Sequence, residues 1–226
     1  MSKVSKKIVD APLPMVPEKN YFLEYARAAA GASNIVGMLL KFTKGKWVAG
    51  QDNERLEEGT RLIANMDALL VGWQRWEDGR PAEQVMGPLV EGFKPPSRSE
   101  LSFNDPDEWE LNEANGNRRD PWVYTHLMVM KAPGKRGQLY TFTSNSAGGK
   151  TAVGSLSRAY GEEMRERPDE YPIVELHAGS YPHRNPAIGD VDVPEFKLVG
   201  WANKSEFDAA KEAAAPAPSS SRKKIR

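Results

Sequence analysis

Ser146-Ala147-Gly148-Gly149-Lys150-Thr151 is the turn in this sequence with the makings of a phosphate cradle. It follows an apolar run and opens a stretch of helical spacing, the setting in which Gly-Lys-Thr closes a nucleotide-binding loop. The first glycine of such a loop should stand at position 144, which is Ser144. No apolar run ending in Asp follows to hold magnesium; Glu175 and Asp190 are the nearest carboxylates, and neither fits. Nucleoside triphosphate hydrolysis is therefore not the expected activity. A smaller role survives: amides at a helix N-terminus, with Lys150, can hold one phosphate of a nucleic-acid backbone. The competing account is a tight strand-to-helix turn that uses glycine for its backbone freedom.

The remaining polar residues carry less. His126, His177 and His183 are too far apart to form a recognised metal motif, and cysteine is absent. No metal or other cofactor is expected. The acidic run Asp105, Asp107, Glu108, Glu110 lacks the spacing of a calcium loop, and no Gly-x-Ser-x-Gly elbow is present. These features argue for a protein without catalytic residues. A nuclease built from scattered carboxylates, or a nucleotide hydrolase, is the least favoured alternative.

Aromatic residues beside cations are more telling. Six Trp and seven Tyr are more than a core of this size needs, and several adjoin Arg, Lys or His: Lys46-Trp47, Trp73-Gln74-Arg75-Trp76 and Tyr181-Pro182-His183-Arg184. Single-stranded nucleic acid is held in this way, with bases on rings and cations along the backbone. The competing account is burial, since Trp and Tyr bring large areas to a core; at least half of these rings should be buried. The candidate nucleic-acid-binding set is Trp73, Arg75, Trp76, Tyr124, Tyr140 and Phe142 as stacking or groove-lining groups, with Lys150, His183 and Arg184 at phosphates.

The elements that must position this set centre on residues 61–93. Asp78-Gly79 lies between two apolar runs, a strong two-residue hairpin signal. Trp73 and Trp76 stand three apart and so point to opposite faces of a strand. Residues 122–130 alternate as a strand, and 138–143 return as its partner. If even residues pair with even, Tyr124, Tyr140 and Phe142 share one face; an odd shift separates them. Residues 150–167 have helical spacing through Val153, Leu156, Tyr160 and Met164. Strands are expected again at 172–177 and 193–201, with a loop at 181–185 between them. A helical piece reaches about residue 30; Gly31 and Gly37 disfavour its continuation, and residues 35–42 read equally as a short strand.

The 226 residues allow one large domain or two small ones. We expect a mobile basic, Pro-rich arm over 1–18, one domain over 19–202 with a long polar insertion at 94–121, and a disordered Ala/Pro/Ser tail with a basic end over 203–226. The formal net charge is zero, but residues 51–120 hold 8 basic and 16 acidic side chains, a net −8, while 121–167 hold 7 and 3, a net +4. A basic groove on an otherwise acidic protein fits that division. No apolar run is long enough to span a membrane, and no secretory leader follows the basic start. The absence of cysteine fits a reducing cytoplasm.

One helix late in a set of antiparallel strands points to a mainly β chain with some α. The expected architecture is an OB-like Greek-key barrel with one helix before the last two strands, plus the N-terminal helical piece. A generic α+β sheet is the competing architecture. The runs Gly59-Thr60-Arg61-Leu62-Ile63-Ala64-Asn65, Gly72-Trp73 to Gly79, Asp120-Pro121-Trp122, Tyr140-Thr141-Phe142-Thr143-Ser144 and Pro194-Glu195-Phe196-Lys197-Leu198-Val199-Gly200-Trp201 make roughly residues 38–203 similar to a group of uncharacterised phage and prophage proteins. Through its element order that group resembles phage single-stranded DNA-binding proteins. The resemblance implies single-stranded DNA binding in phage-type replication or recombination, in the cytoplasm of a bacterial host, with replication or recombination proteins as further partners. It leaves self-association open. Many such proteins end in an acidic tail, whereas this chain ends Arg222-Lys223-Lys224-Ile225-Arg226, so recruitment through a tail of that kind is not expected. The second functional class is a protein-interaction or phage structural module that uses the same aromatics against a protein.

Overall fold

Trp122–Lys131 is the strand on which the rest of the sheet is built. Its alternation of aromatic, β-branched and sulfur-containing side chains suits a strand packed on both faces. Numbered in chain order, the strands are β1 (Met38–Thr43), β2 (Lys46–Ala49), β3 (Glu54–Leu56), β4 (Arg61–Ala64), β5 (Leu70–Glu77), β6 (Arg80–Pro88), β7 (Glu110–Leu111), β8 (Arg118–Arg119), β9 (Trp122–Lys131) and β10 (Leu139–Ser144). Helix α1 (Ala147–Glu163) follows, then β11 (Glu170–Pro182) and β12 (Asp190–Asn203). The computed structural model describes residues 34–77, 80–112, 116–134 and 137–207. The expected N-terminal arm and helical piece, the Asp78-Gly79 turn and the end of the chain lie outside these residues.

One edge of β9 pairs with β10. The other is shared, because β4 and β5 form a single edge broken by a 3-10 turn at Met66–Ala68. Asn65 makes the break: its amide donates to Val129, and its side chain accepts from the Ala68 amide. The sheet therefore forks. One arm continues from β4 to β11 and β12, the other from β5 to β6. Beyond β10 come β1, which is parallel to it, then β2 and β3.

The main path curls into a half-barrel. The Trp47 indole of β2 donates to the His177 carbonyl of β11 at 2.9 Å, joining strands far apart in the sheet order. Trp47 also packs on Phe142 at 5.5 Å and on Phe196 at 5.4 Å. Leu40, Leu62, Ala64, Met128, Met130, Val174 and Leu176 complete this interior. Helix α1 closes it with Val153, Leu156 and Tyr160, three of the four residues whose spacing foretold the helix. Met164 lies past the last helical turn and stays exposed.

A second cluster lies around Ile63, Leu139, Tyr171 and Phe207. Here the chain departs from the expected start of a tail at 203. Residues 204–207 form a helical turn, Phe207 is buried, and Lys204 pairs with Asp67 at 2.8 Å. Lys131 is fully buried, and its ammonium donates to the Glu206 carbonyl. Strands β11 and β12 also outrun expectation: Tyr181 and Pro182, placed in a loop by sequence, are paired strand residues.

Candidate nucleic-acid interface

The second arm of the fork carries most of the candidate set. Strand alternation places Trp73 and Arg75 on one face of β5. Their partners in register on β9 are Tyr124 and Trp122, and Val71 faces His126. The Trp73 and Tyr124 rings meet edge to face at 5.2 Å, and Tyr124 meets His126 at 5.3 Å.

Helix α1 reaches this cluster because β10 ends opposite His126, at Ser144. Ser146 caps the helix by accepting from the Gly149 amide at 3.0 Å. A Cβ on Gly149 would lie 1.7 Å from the Ser144 hydroxyl oxygen, and one on Gly148 would lie 2.4 Å from a Val193 methyl. Both glycines therefore serve close packing of the helix start, within its first turn; the expected reason was backbone freedom in a turn, and neither glycine has a positive φ. Lys150, in the first turn, holds its ammonium 5.1 Å from the centre of the Tyr124 ring.

The electrostatics of this corner are unusual. A lysine at a helix N-terminus opposes the macrodipole, which favours anions there. The first turn contains no acidic side chain, and Lys150 makes no ion pair among the described residues. Burial pushes the His126 imidazole below its ordinary pKa, and the Lys150 charge pushes it the same way, against a hydrogen bond to the Ser144 backbone. His126 Nδ1 is buried with no hydrogen-bond partner among the described residues. Burial raises the Tyr124 phenol, which stays neutral. The corner thus combines a ring, a cation and helix amides with no carboxylate among the described residues to neutralise them.

Arg75 is different. Its guanidinium bonds Glu83 at 3.3 Å and Glu77 at 3.2 Å, and it lies over the Phe103 ring at 5.0 Å. Trp76 is 40% exposed. The long connection at 94–121 is held against this arm by indoles. Trp73 donates to the Pro96 carbonyl and Trp122 to that of Ser102.

The rest of the set is elsewhere. The even-with-even register does occur, with Tyr140 opposite Met130 and Phe142 opposite Met128, so Tyr124, Tyr140 and Phe142 share a face. The face is sealed at Phe142 and half-buried at Tyr124 and Tyr140 on either side of it. Phe142 is 0% exposed, wedged against Trp47 and Phe196, and no base reaches it there. Tyr140 sits beside Met38 of β1, at the register of Met130 and roughly 20 Å along β9 from Tyr124. His183 is used in the β11–β12 turn, where its Nδ1 accepts from the Asn185 amide at 3.0 Å, and Arg184 is exposed next to it.

A groove of about 750 Å³ runs along another face of α1. Ala147, Thr151 and Ser155 form its helical wall, with Tyr181, Val193 and Lys197 opposite. His177 at its edge bonds Glu58 and Glu175. Hydrogen bonds from Arg61 and then His177 hold the Glu175 carboxyl below the usual carboxylate range. Among the described residues no group of three or more His, Cys, Asp or Glu is placed to hold a metal ion, and no helix is long and apolar enough to cross a membrane.

Sequence reasoning put His126 on a strand face but outside the site. Its two-residue spacing from Tyr124 was the available signal. Phe103 gave no signal, being one aromatic in a polar connection. Compared with known family models, with curated proteins and with solved structures, the chain matches none.

Proposed function

We propose that this chain binds single-stranded DNA without catalysing a reaction on it, with Tyr124 and Trp73 as base-stacking rings and Lys150 on a backbone phosphate. The observation that carries the reading is the Lys150 ammonium over the Tyr124 ring, in a first helical turn without an acidic side chain and with no ion pair among the described residues. Such a position is unfavourable for a cation until an anion arrives, and a strand with a base on Tyr124 brings its phosphate there. The setting in phage-type replication or recombination rests on the sequence resemblance.

The topology supports an OB-like reading of the half-barrel. The run β12-β11-β4-β9-β10, with α1 between β10 and β11, is compatible with a five-stranded barrel whose helix lies between its third and fourth strands. The broken edge of β4 and β5 corresponds to its bent first strand. Two features are additions: the β5–β6 arm with the connection behind it, and β1–β3, which extend the β10 edge where such a barrel would close.

The test is the salt dependence of oligo-dT binding by the wild type and by Lys150→Gln. Log affinity should fall with log salt, and the variant should lose about 0.7 from the slope, one phosphate contact on a single strand. Equal slopes in the two proteins would remove Lys150 from the phosphate.

A further inference from the structure

We infer that Phe103 is a second base-stacking platform, extending the strand's path beyond Trp73; the inference rests on the single-stranded DNA reading above. Phe103 is a partly exposed aromatic on a loop with a fixed backbone, and the Arg75 guanidinium covers part of its ring. It is 46% exposed, and its φ of 57° is in the left-handed region, where a bulky side chain is a rare outlier. Its carbonyl accepts from the Arg98 guanidinium at 2.7 Å and from the Trp109 indole at 2.8 Å. Arg98 is the hub of the connection: it also grips Asp120 with two bonds of 2.7 and 2.8 Å, and donates to the Ser102 carbonyl and the Asn104 side chain. Trp109 lies under the same guanidinium at 5.7 Å. These contacts fix the backbone on both sides of Phe103 and leave the ring partly exposed.

The ring also continues the row. Trp73 meets Tyr124 edge to face, and Arg75 is two residues along the same face of β5 with its guanidinium over Phe103. That step of two residues is about 7 Å, and the guanidinium is 5.0 Å from the centre of the Phe103 ring, so a strand that passes Trp73 meets Phe103 next. The two ends differ in charge. Lys150 has no carboxylate partner among the described residues, whereas Arg75 has Glu77 and Glu83. The guanidinium at the Phe103 end is outnumbered by two carboxylates, so that end takes a base face and no phosphate, while the Lys150 end takes a phosphate.

The test uses the full chain, with oligo-dT of increasing length from about four nucleotides upward, at two salt concentrations. Phe103→Ala and Phe103→Leu should weaken binding of the longer oligonucleotides by about 5- to 100-fold. They should leave the shortest ones and the salt slope unchanged, with the same melting temperature as wild type. Phe103→Trp should keep the affinity and add a quenched fluorophore. If the wild type binds oligo-dT and Phe103→Ala binds every length equally well, the Phe103 platform is overturned while the stacking and phosphate roles stand. If the wild type binds no oligonucleotide, both readings fall.

Discussion

Two aromatic groups in this chain are built from the same residue types and have opposite fates. In the first, Phe42, Trp47, Phe142 and Phe196 meet ring to ring at 5.1–5.5 Å inside the half-barrel. In the second, Trp73 and Tyr124 meet at 5.2 Å, much the same geometry, but a cation covers the Tyr124 face. The first rings are packed on one another, whereas the Tyr124 face carries an ammonium that no carboxylate pairs among the described residues. Cation–π pairs alone do not mark a site. Arg167 over Trp201 and Lys204 over Tyr171 are similar contacts, yet those cations are paired with Glu163, Glu170 and Asp67. What distinguishes Lys150 is the combination of a ring beneath it, helix amides beside it and no acid against it among the described residues.

The contrast should break apart under mutation. Phe142→Ala empties a sealed interior and should cost about 3–5 kcal/mol of stability, measured by urea unfolding, with oligonucleotide affinity preserved wherever the protein remains folded. Tyr124→Ala should do the reverse. It should cost about 1–3 kcal/mol of binding to oligo-dT and a smaller part of the stability. Equal losses in both assays for both variants would show that the two groups are one core.

His126 sharpens the comparison through pH. Its folded-state pKa lies below the ordinary value of 6.5 because the ring is buried and close to Lys150. Below that value the unfolded chain takes up the proton first, so stability should fall as the pH drops through about 6.5, levelling off below the folded pKa. Above it both states are neutral, and His126 contributes no pH dependence. His126→Gln should flatten that part of the stability profile in unfolding experiments between about pH 5 and 8; an unchanged slope would assign the acid sensitivity elsewhere. The smallest effect belongs to Arg75. With two carboxylates already bonded to it, Arg75→Gln should change the salt slope of DNA binding by much less than Lys150→Gln does.

The strands were the legible part of this fold. Strand β9 shows its alternation openly, and an Asp-Gly step between apolar runs foretold the β5–β6 hairpin. Alternation also put Tyr124 and Phe142 on one face, once the register was known. It could not say that this face is half-buried at Tyr124 and sealed at Phe142, because the seal is Trp47 and Phe196, brought across by the curl of the sheet. The helix was found, but its start was placed at 150 instead of 147, since the glycines looked like loop while Ser146 was already capping the first turn. The connection at 94–121 was least legible. Its hub, Arg98, works largely through the carbonyls of Ser102 and Phe103, and backbone acceptors leave no trace in side-chain identity.

The most direct test of the central claim is intrinsic Trp fluorescence during titration with oligo-dT and with a matched duplex, at two salt concentrations. Stacking at Trp73 and Tyr124 should quench the signal with the single strand, bind the duplex more weakly and weaken with salt at about 0.7 in log units per phosphate neutralised. No spectral change and no retention of oligo-dT at low salt would contradict single-stranded DNA binding.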